Sequence, residues 1–217
     1  MIVPPFEHDT LRRKPYIWVS WITKLLAGED RCWWKAWYKS HYQSTKTPED
    51  PAREDFFREY NKKHDAITQR RARELTADGF TVQIEDENSF KLRGQNADLA
   101  GKPDLVALKD TISITLDSKS GKRRQSDHWQ VLVYLFGLPM SWLKTTDNRG
   151  EVAYKDVSVL VRSLGPAERE AIVAAIKKVS DSDAPEAEPS PWECKYCDVA
   201  RCPVRYVAHE GDASRLF

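Results

Sequence analysis

The sequence predicts an α/β protein with a mixed sheet flanked by helices, and three observations predict it. Residues 52–78 form one long run rich in Arg, Lys and Glu that ends at Gly79, the residue type that commonly follows a helix. The segment TISITLDSKS alternates strictly between apolar and polar side chains, the period-two pattern of a strand. Along the chain the order then runs helix, strands, helix, strand, helix.

Taken in order, residues 15–42 read as helical, with Ser20 and Arg31 interrupting an apolar and aromatic pattern in which Trp33, Trp34, Trp37 and Tyr38 fall at helical spacings. The helix over 52–78 follows. Short strands are expected at Phe80–Ile84 and Ser89–Leu92. Asp104–Ser118 reads as two strands joined by a turn at Lys109-Asp110. A helix is expected over 126–136, stopped by Gly137 and Pro139. A strand at Val157–Val161 leads to a helix over Pro166–Val179, with Ser163 as its cap. Residues 181–191, DSDAPEAEPSP, have linker composition. The expected division is therefore a domain over 1–180, a linker over 181–191 and a cysteine-rich tail over 192–217. No internal repeat is visible.

The chain has 217 residues, enough for one domain with a real core and a small appendage. Charged residues make up 31% but the net charge is only +1, so any basic surface must be local. No apolar run reaches the ~18 residues of a membrane span, and the N-terminus, MIVPPFEHDT, lacks the basic-then-apolar order of a signal peptide. The expectation is a cytoplasmic protein without membrane contact.

The chemistry concentrates on the alternating strand. Ile112, Ile114 and Leu116 face one side, and Ser113, Thr115, Asp117 and Lys119 the other. Upstream, Gly101-Lys102-Pro103-Asp104 places a second carboxylate at a strand start, after a proline that cannot donate to the ladder. Two neighbouring carboxylates repel unless a cation lies between them, and Mg²⁺ or Mn²⁺ suits such oxygen ligands. A lysine beside them can orient an attacking water or stabilise charge on a phosphate. Standing alone, an Asp-x-Lys is more often a solvated strand edge with ordinary surface charges. Downstream, Lys122, Arg123 and Arg124 form a basic turn, and Gln130 and Tyr134 share one helical face.

Four cysteines are present, and Cys194, Cys197 and Cys202 form a compact triplet. In a reducing compartment disulfides are not expected. Cys32, far upstream, is the available fourth ligand unless a histidine such as His209 supplies it. Spacing alone leaves structural zinc and a [4Fe-4S] cluster open.

These motifs carry a resemblance. Pro103-Asp104 followed by Asp117-Ser118-Lys119 resembles the PD-(D/E)XK nuclease signature, with Asp as the permitted second acid. Gln130 and Tyr134 resemble the Q-x-x-x-Y motif of RecB-like nucleases, which lies beside the active site. The order of one early cysteine, a nuclease core and three late cysteines resembles the CRISPR-associated RecB-like exonucleases that carry an iron–sulfur cluster. The resemblance spans Cys32 to Cys202. It implies a restriction-endonuclease-like fold in which the cluster clasps the tail to the N-terminal helices. It implies a metal site of Asp104, Asp117, the Ser118 backbone carbonyl and a helical histidine. His64 is the best positional match, ahead of His41, with His8 and His128 behind. Lys119, Gln130 and Tyr134 complete the catalytic set, and Cys32, Cys194, Cys197 and Cys202 hold the cluster.

The implied function is a Mn²⁺- or Mg²⁺-dependent exonuclease on single-stranded DNA ends, trimming spacer precursors beside the CRISPR adaptation integrase. The aromatics near Cys32 can stack on unpaired bases, although Trp34 and Trp37 suit a helical core better. Competing readings are a nucleic-acid-binding subunit with a vestigial site, a phage or recombination-linked nuclease of the same chemistry, and a zinc-ribbon-like scaffold.

Overall fold

The computed structural model describes residues 9–43, 51–199 and 202, with side chains from residue 58 in the long helix. Expectations that fall on His8, on His209 and on the rest of the tail lie outside the described residues.

Among the described residues three sheets organise the fold. The largest has five strands in the order β10-β9-β8-β7-β4: β4 (Thr81–Ile84), β7 (Leu105–Lys109), β8 (Ile112–Lys119), β9 (Asp147–Tyr154) and β10 (Ser158–Val161). β8 and β9 are parallel and the other neighbours antiparallel. A smaller sheet joins β2 (Tyr16–Trp18), β6 (Asp98–Gly101) and β5 (Phe90–Arg93). β1 (Thr10–Leu11) pairs with β3 (Tyr42–Gln43).

Helices cover both faces of the large sheet. α3 (Pro51–Ala77) lays Ile67, Ala72 and Leu75 against Leu105, Ala107, Leu116 and Ala153. Leu105 and Leu116 are fully buried there, and each such leucine stabilises the fold by about 1.5–3 kcal/mol. α4 (Gln125–Ser141) covers the opposite face, with Val131, Leu132 and Leu135 on Val152 and Val161. Its other side, through Val133, Tyr134 and Leu138, meets Ile17, Phe90 and Leu99 of the small sheet. α1 (Val19–Leu26) and α5 (Pro166–Ser180) complete that core through Val19, Ile22, Ile172 and Val179. α4 therefore joins the two sheets, which is why its sequence is apolar nearly all round.

Several expectations need correction. Residues 15–42 are not one helical stretch. They divide into β2, α1 and α2 (Trp33–His41), and Gly28 takes φ 71 in the turn between the helices. β6 and β9 were not foreseen. β9, DNRGEVAY, looks like surface because of Glu151, yet Glu151 is 1% exposed and paired with an arginine. Gly137 and Pro139 do not stop α4, which runs to Ser141. Pro139 falls in its last turn, and Gly137 gives Phe90 its packing space: a Cβ there would lie 2.4 Å from that ring. The cap of α5 is Gly165, whose N–H donates to Glu168, not Ser163. β8 is no solvated edge: Ser113, Thr115 and Asp117 on its polar face are all buried.

The C-terminal segment packs on α2. Trp34, Trp37 and Tyr38 form a buried cluster with Cys32, Val199 and the partly buried Ala184, Ala187, Cys197 and Cys202. Trp37 Nε1 donates to the Asp181 carbonyl at 2.8 Å. The short helix α6 (Pro191–Lys195) is tied down by Glu193, whose Oε1 accepts from the backbone N–H groups of Arg31 and Cys32 at 2.8 and 3.0 Å. Residues 181–199 thus dock through alanines, a carbonyl and a carboxylate, contacts that their low apolar content did not suggest. Among the described residues no helix is long and apolar enough to cross a membrane.

Candidate active site

The site forms where β8 outruns its antiparallel neighbour. Pairing with β7 ends at Leu105 opposite Leu116, so the last residues of β8 face Asp104, just ahead of β7. Asp104 Oδ2 accepts from the Ser118 N–H at 2.6 Å. The segment before Asp104 is held by Asn88, fully buried, whose amide donates to the carbonyls of Gln83 and Pro103. Asn88 is a positioning residue that the sequence did not reveal, since it stands in the polar run Glu85–Asn88.

Alternation sends successive β8 side chains to opposite helices. Ser118 meets α3, where Thr68 Oγ1 donates to its hydroxyl at 2.8 Å. Asp117 and Lys119 meet α4. Gln130 Nε2 donates to Asp117 Oδ1 at 2.7 Å and to the Tyr134 hydroxyl at 2.8 Å, while its Oε1 accepts from Lys119 Nζ at 2.9 Å. Tyr134 in turn donates to the Lys102 carbonyl at 3.2 Å. Its ring occupies space that Gly101 leaves open, since a Cβ at Gly101 would stand 2.9 Å from Tyr134. The sequence marked that glycine as the head of Gly101-Lys102-Pro103-Asp104, but not the room it makes for Tyr134.

His64 reaches the site from α3, with Nε2 3.0 Å from Asp104 Oδ2. Two contacts fix the register that brings it there: Thr68 on Ser118, and Arg71 on Glu151, a two-pronged pair at 2.7 and 2.8 Å. His64, Thr68 and Arg71 share one helical face. His41 stands elsewhere, stacked on Trp37 at 4.5 Å in α2.

Electrostatics follow from burial. The Asp117 carboxyl is 2% exposed. Burial pushes its pKa up, Lys119 opposes this, and Asp104 adds to it. Burial alone would lower Lys119, but the Asp117 carboxylate outweighs it and holds the ammonium above its ordinary value. The hydrogen bond to Asp104 raises His64 despite its burial.

Among the described residues no three His, Cys, Asp or Glu side chains are gathered at metal-binding distances. The donor set still suits a hard divalent cation, with two carboxylates and an imidazole converging at one strand end. Asp117 Oδ2 is buried and faces Lys119 Nζ at 2.6 Å. A carboxylate oxygen has two lone pairs, so Lys119 occupies one acceptor direction of Oδ2 and leaves the second for a cation.

The sequence model of the PD-(D/E)XK nuclease superfamily matches residues 21–203. The chain belongs to the PD-(D/E)XK nuclease superfamily. Members are nucleases that use divalent metals such as Mg²⁺ or Mn²⁺, so a nuclease role follows from the match. The fold of this PD-(D/E)XK protein is also similar to the crystal structure of SSO0001, with TM-score 0.50 and 16% identity over 91% of this chain and 90% of that one. No curated protein sequence matches it.

In this PD-(D/E)XK protein Cys32 shares one cluster with Cys197 and Cys202 from the tail. Cys32 and Cys194 are buried, Cys197 and Cys202 half-buried. Burial pushes the Cys32 thiol up to about 11, and the nearby Glu193, Cys197 and Cys202 add to the rise. A thiol in this setting stays protonated unless a cation compensates the thiolate.

Proposed function

We propose that this protein is a Mg²⁺- or Mn²⁺-dependent deoxyribonuclease that acts on single-stranded DNA ends. The observation that carries the reading is the convergence of His64, Asp104, Asp117 and Lys119 at the end of β8. Asp104, Asp117 and His64 would hold the metal, with the Ser118 carbonyl as a backbone ligand. In a ladder a residue's N–H and C=O point to the same neighbour, and the Ser118 N–H points to Asp104. The bound ion supplies Lewis-acid charge and a water of lowered pKa. His64 would hold it as neutral imidazole, with Nε2 beside Asp104 Oδ2. Lys119, held charged by Asp117, cannot take a proton from water; it donates to phosphate oxygens and offsets their growing charge. Gln130 and Tyr134 keep Lys119 and Asp117 in register.

The reading extends to the cysteines. Cys32, Cys194, Cys197 and Cys202 hold a [4Fe-4S] cluster, with structural zinc as the alternative. The domain division is a nuclease over 1–180, a linker over 181–191 and a tail over 192–217 that joins Cys32. The order of these motifs supports an exonuclease that trims spacer precursors in CRISPR adaptation, beside the adaptation integrase. A phage or recombination-linked nuclease has the same chemistry, and a vestigial site would bind DNA without cutting it.

The test is cleavage of end-labelled single-stranded DNA by anaerobically purified protein. Mn²⁺ or Mg²⁺ should be required, and Asp104→Ala or Asp117→Ala should each cut the rate by about 10³-fold or more. Turnover that persists in EDTA, or in both variants, overturns the mechanism.

A further inference from the structure

Exposed large side chains standing singly need no explanation, but Trp192 and Tyr196 stand together. They are 68% and 62% exposed, with ring centroids 4.8 Å apart. Lys195 Nζ lies 5.4 and 5.6 Å from the two rings. The support is firm: Glu193 binds the backbone at Arg31 and Cys32, Asp198 pairs with Lys39 at 2.5 Å, and Cys194 faces inward. The rings are thus left outward while the segment that carries them is pinned to α2.

Cys32, to which Glu193 is bound, also lines a neighbouring cleft of about 190 Å³. Trp21, Lys24, Lys35, Lys39 and Asp30 complete the part that matters. Lys39 Nζ lies 4.9 Å from the Trp21 ring. Lys24, Lys35, Lys39 and Lys195 stand against Asp30, Glu193 and Asp198, and Lys35 and Lys39 both face Asp198, so the surface from α6 to α1 carries a small positive excess beside its aromatic faces. A duplex hides the faces of its bases within the stack; an unpaired strand offers them together with a phosphate at each step. None of these residues belongs to the cluster at the end of β8.

We propose that α6 and the adjoining α1–α2 cleft form a second binding site, for single-stranded nucleic acid, with bases stacked on Trp192 and Tyr196 and phosphates held by Lys195 and by Lys24 of the cleft. The nuclease reading enters only in naming the ligand's class.

The experiment uses full-length protein in EDTA and a fluorescein-labelled oligothymidylate of about 20 nucleotides, longer than a typical single-strand footprint. Anisotropy gives the affinity. Replacing both rings, Trp192→Ala with Tyr196→Ala, should weaken binding about tenfold or more, whereas Trp192→Phe with Tyr196→Phe should stay near wild type, because stacking needs only a π-face. Lys195→Ala should lower the slope of log affinity against log salt by about 0.7. Unchanged affinity in the double alanine variant overturns the site, as does equal loss in the phenylalanine variant. Loss of self-association on size exclusion in place of strand affinity also overturns it, and makes the face an interface between copies. If the wild type cleaves DNA while the double alanine variant binds normally, this inference alone fails. If the wild type binds through these rings but never cleaves, the nuclease reading alone fails.

Discussion

Gln130 shows how much one neutral side chain can hold. It gives a hydrogen to Asp117 and accepts one from Lys119, so it tells the two ends of its amide apart by charge. A glutamate here would set a second carboxylate against Asp117, where Gln130 Nε2 now stands 2.7 Å from Oδ1. An alanine would leave Lys119 one partner short and the Tyr134 hydroxyl without its donor. Gln130→Ala should therefore slow cleavage by about 10- to 100-fold, as loss of an outer partner does at metal sites. It should lower stability by about 1–3 kcal/mol through the groups left unsatisfied. Single-turnover rates and urea melts measure the two effects; a variant with wild-type rates would free Gln130 of any positioning role. At this scale the sequence was readable. The i, i+4 spacing of Gln130 and Tyr134 and the period-two spacing of Asp117 and Lys119 are local facts that any helix or strand converts into a shared face.

At the scale of elements, α3 and β9 depend on each other. Glu151 is 1% exposed and Arg71 meets both of its oxygens. Arg71→Met would strand that carboxylate in the interior, a change that typically costs about 3–5 kcal/mol. Adding Glu151→Leu should recover much of the loss, because a buried ion pair exchanged whole for apolar groups is often neutral. Denaturant unfolding of the single and double variants tests this, and equal stability of Arg71→Met and wild type would contradict it. α6 and α2 are joined by another carboxylate. Burial works against the charged form of Glu193, but the N–H groups of Ser190, Cys32 and Arg31 outweigh it and hold the carboxyl below its ordinary range. A depressed value in the folded state means that this stabilisation is complete above the unfolded value of about 4.3 and is lost as pH falls through the folded one. Hydrogen exchange should show the Arg31 and Cys32 amides protected at neutral pH and released as pH falls through the depressed Glu193 value. Glu193→Ala should release them at neutral pH, and continued protection in that variant would show that other contacts hold the tail.

At the scale of the whole molecule, α2 meets the described part of the tail. Cys32, at the start of α2, shares a buried cluster with Cys197 and Cys202 from beyond the linker. If one metal centre takes all four thiolates, binding and folding are linked, because the ligands meet only in the folded chain. Cys32→Ala should then lower metal content and Tm together, as Cys194→Ala does, and cleavage should fall indirectly. Iron, zinc, Tm and rate measured on both variants decide it. Full metal and stability in Cys32→Ala, with both lost in Cys194→Ala, would mean that the tail makes its own site. The docking of residues 181–199 through Trp37, Glu193 and Asp198 predicts that some of the clasp survives without metal.

By itself the sequence determined which side chains share the polar face at the end of β8, the long helix that carries His64 and the strand pair Asp104–Ser118, because each follows from spacing within one element. It could not place β9. There a buried Glu151 mimics surface, and only Arg71, about eighty residues away, makes its burial tolerable. Nor could it stop α4 in the right place, since Pro139 and Gly137 read as breakers until Phe90 and the second sheet pack against them. The meeting of His64 with Asp104, and of Cys32 with the tail, was decided by tertiary structure alone. Local propensity acts over a few residues, whereas burial and the pairing of buried charge are settled by whatever the fold brings alongside.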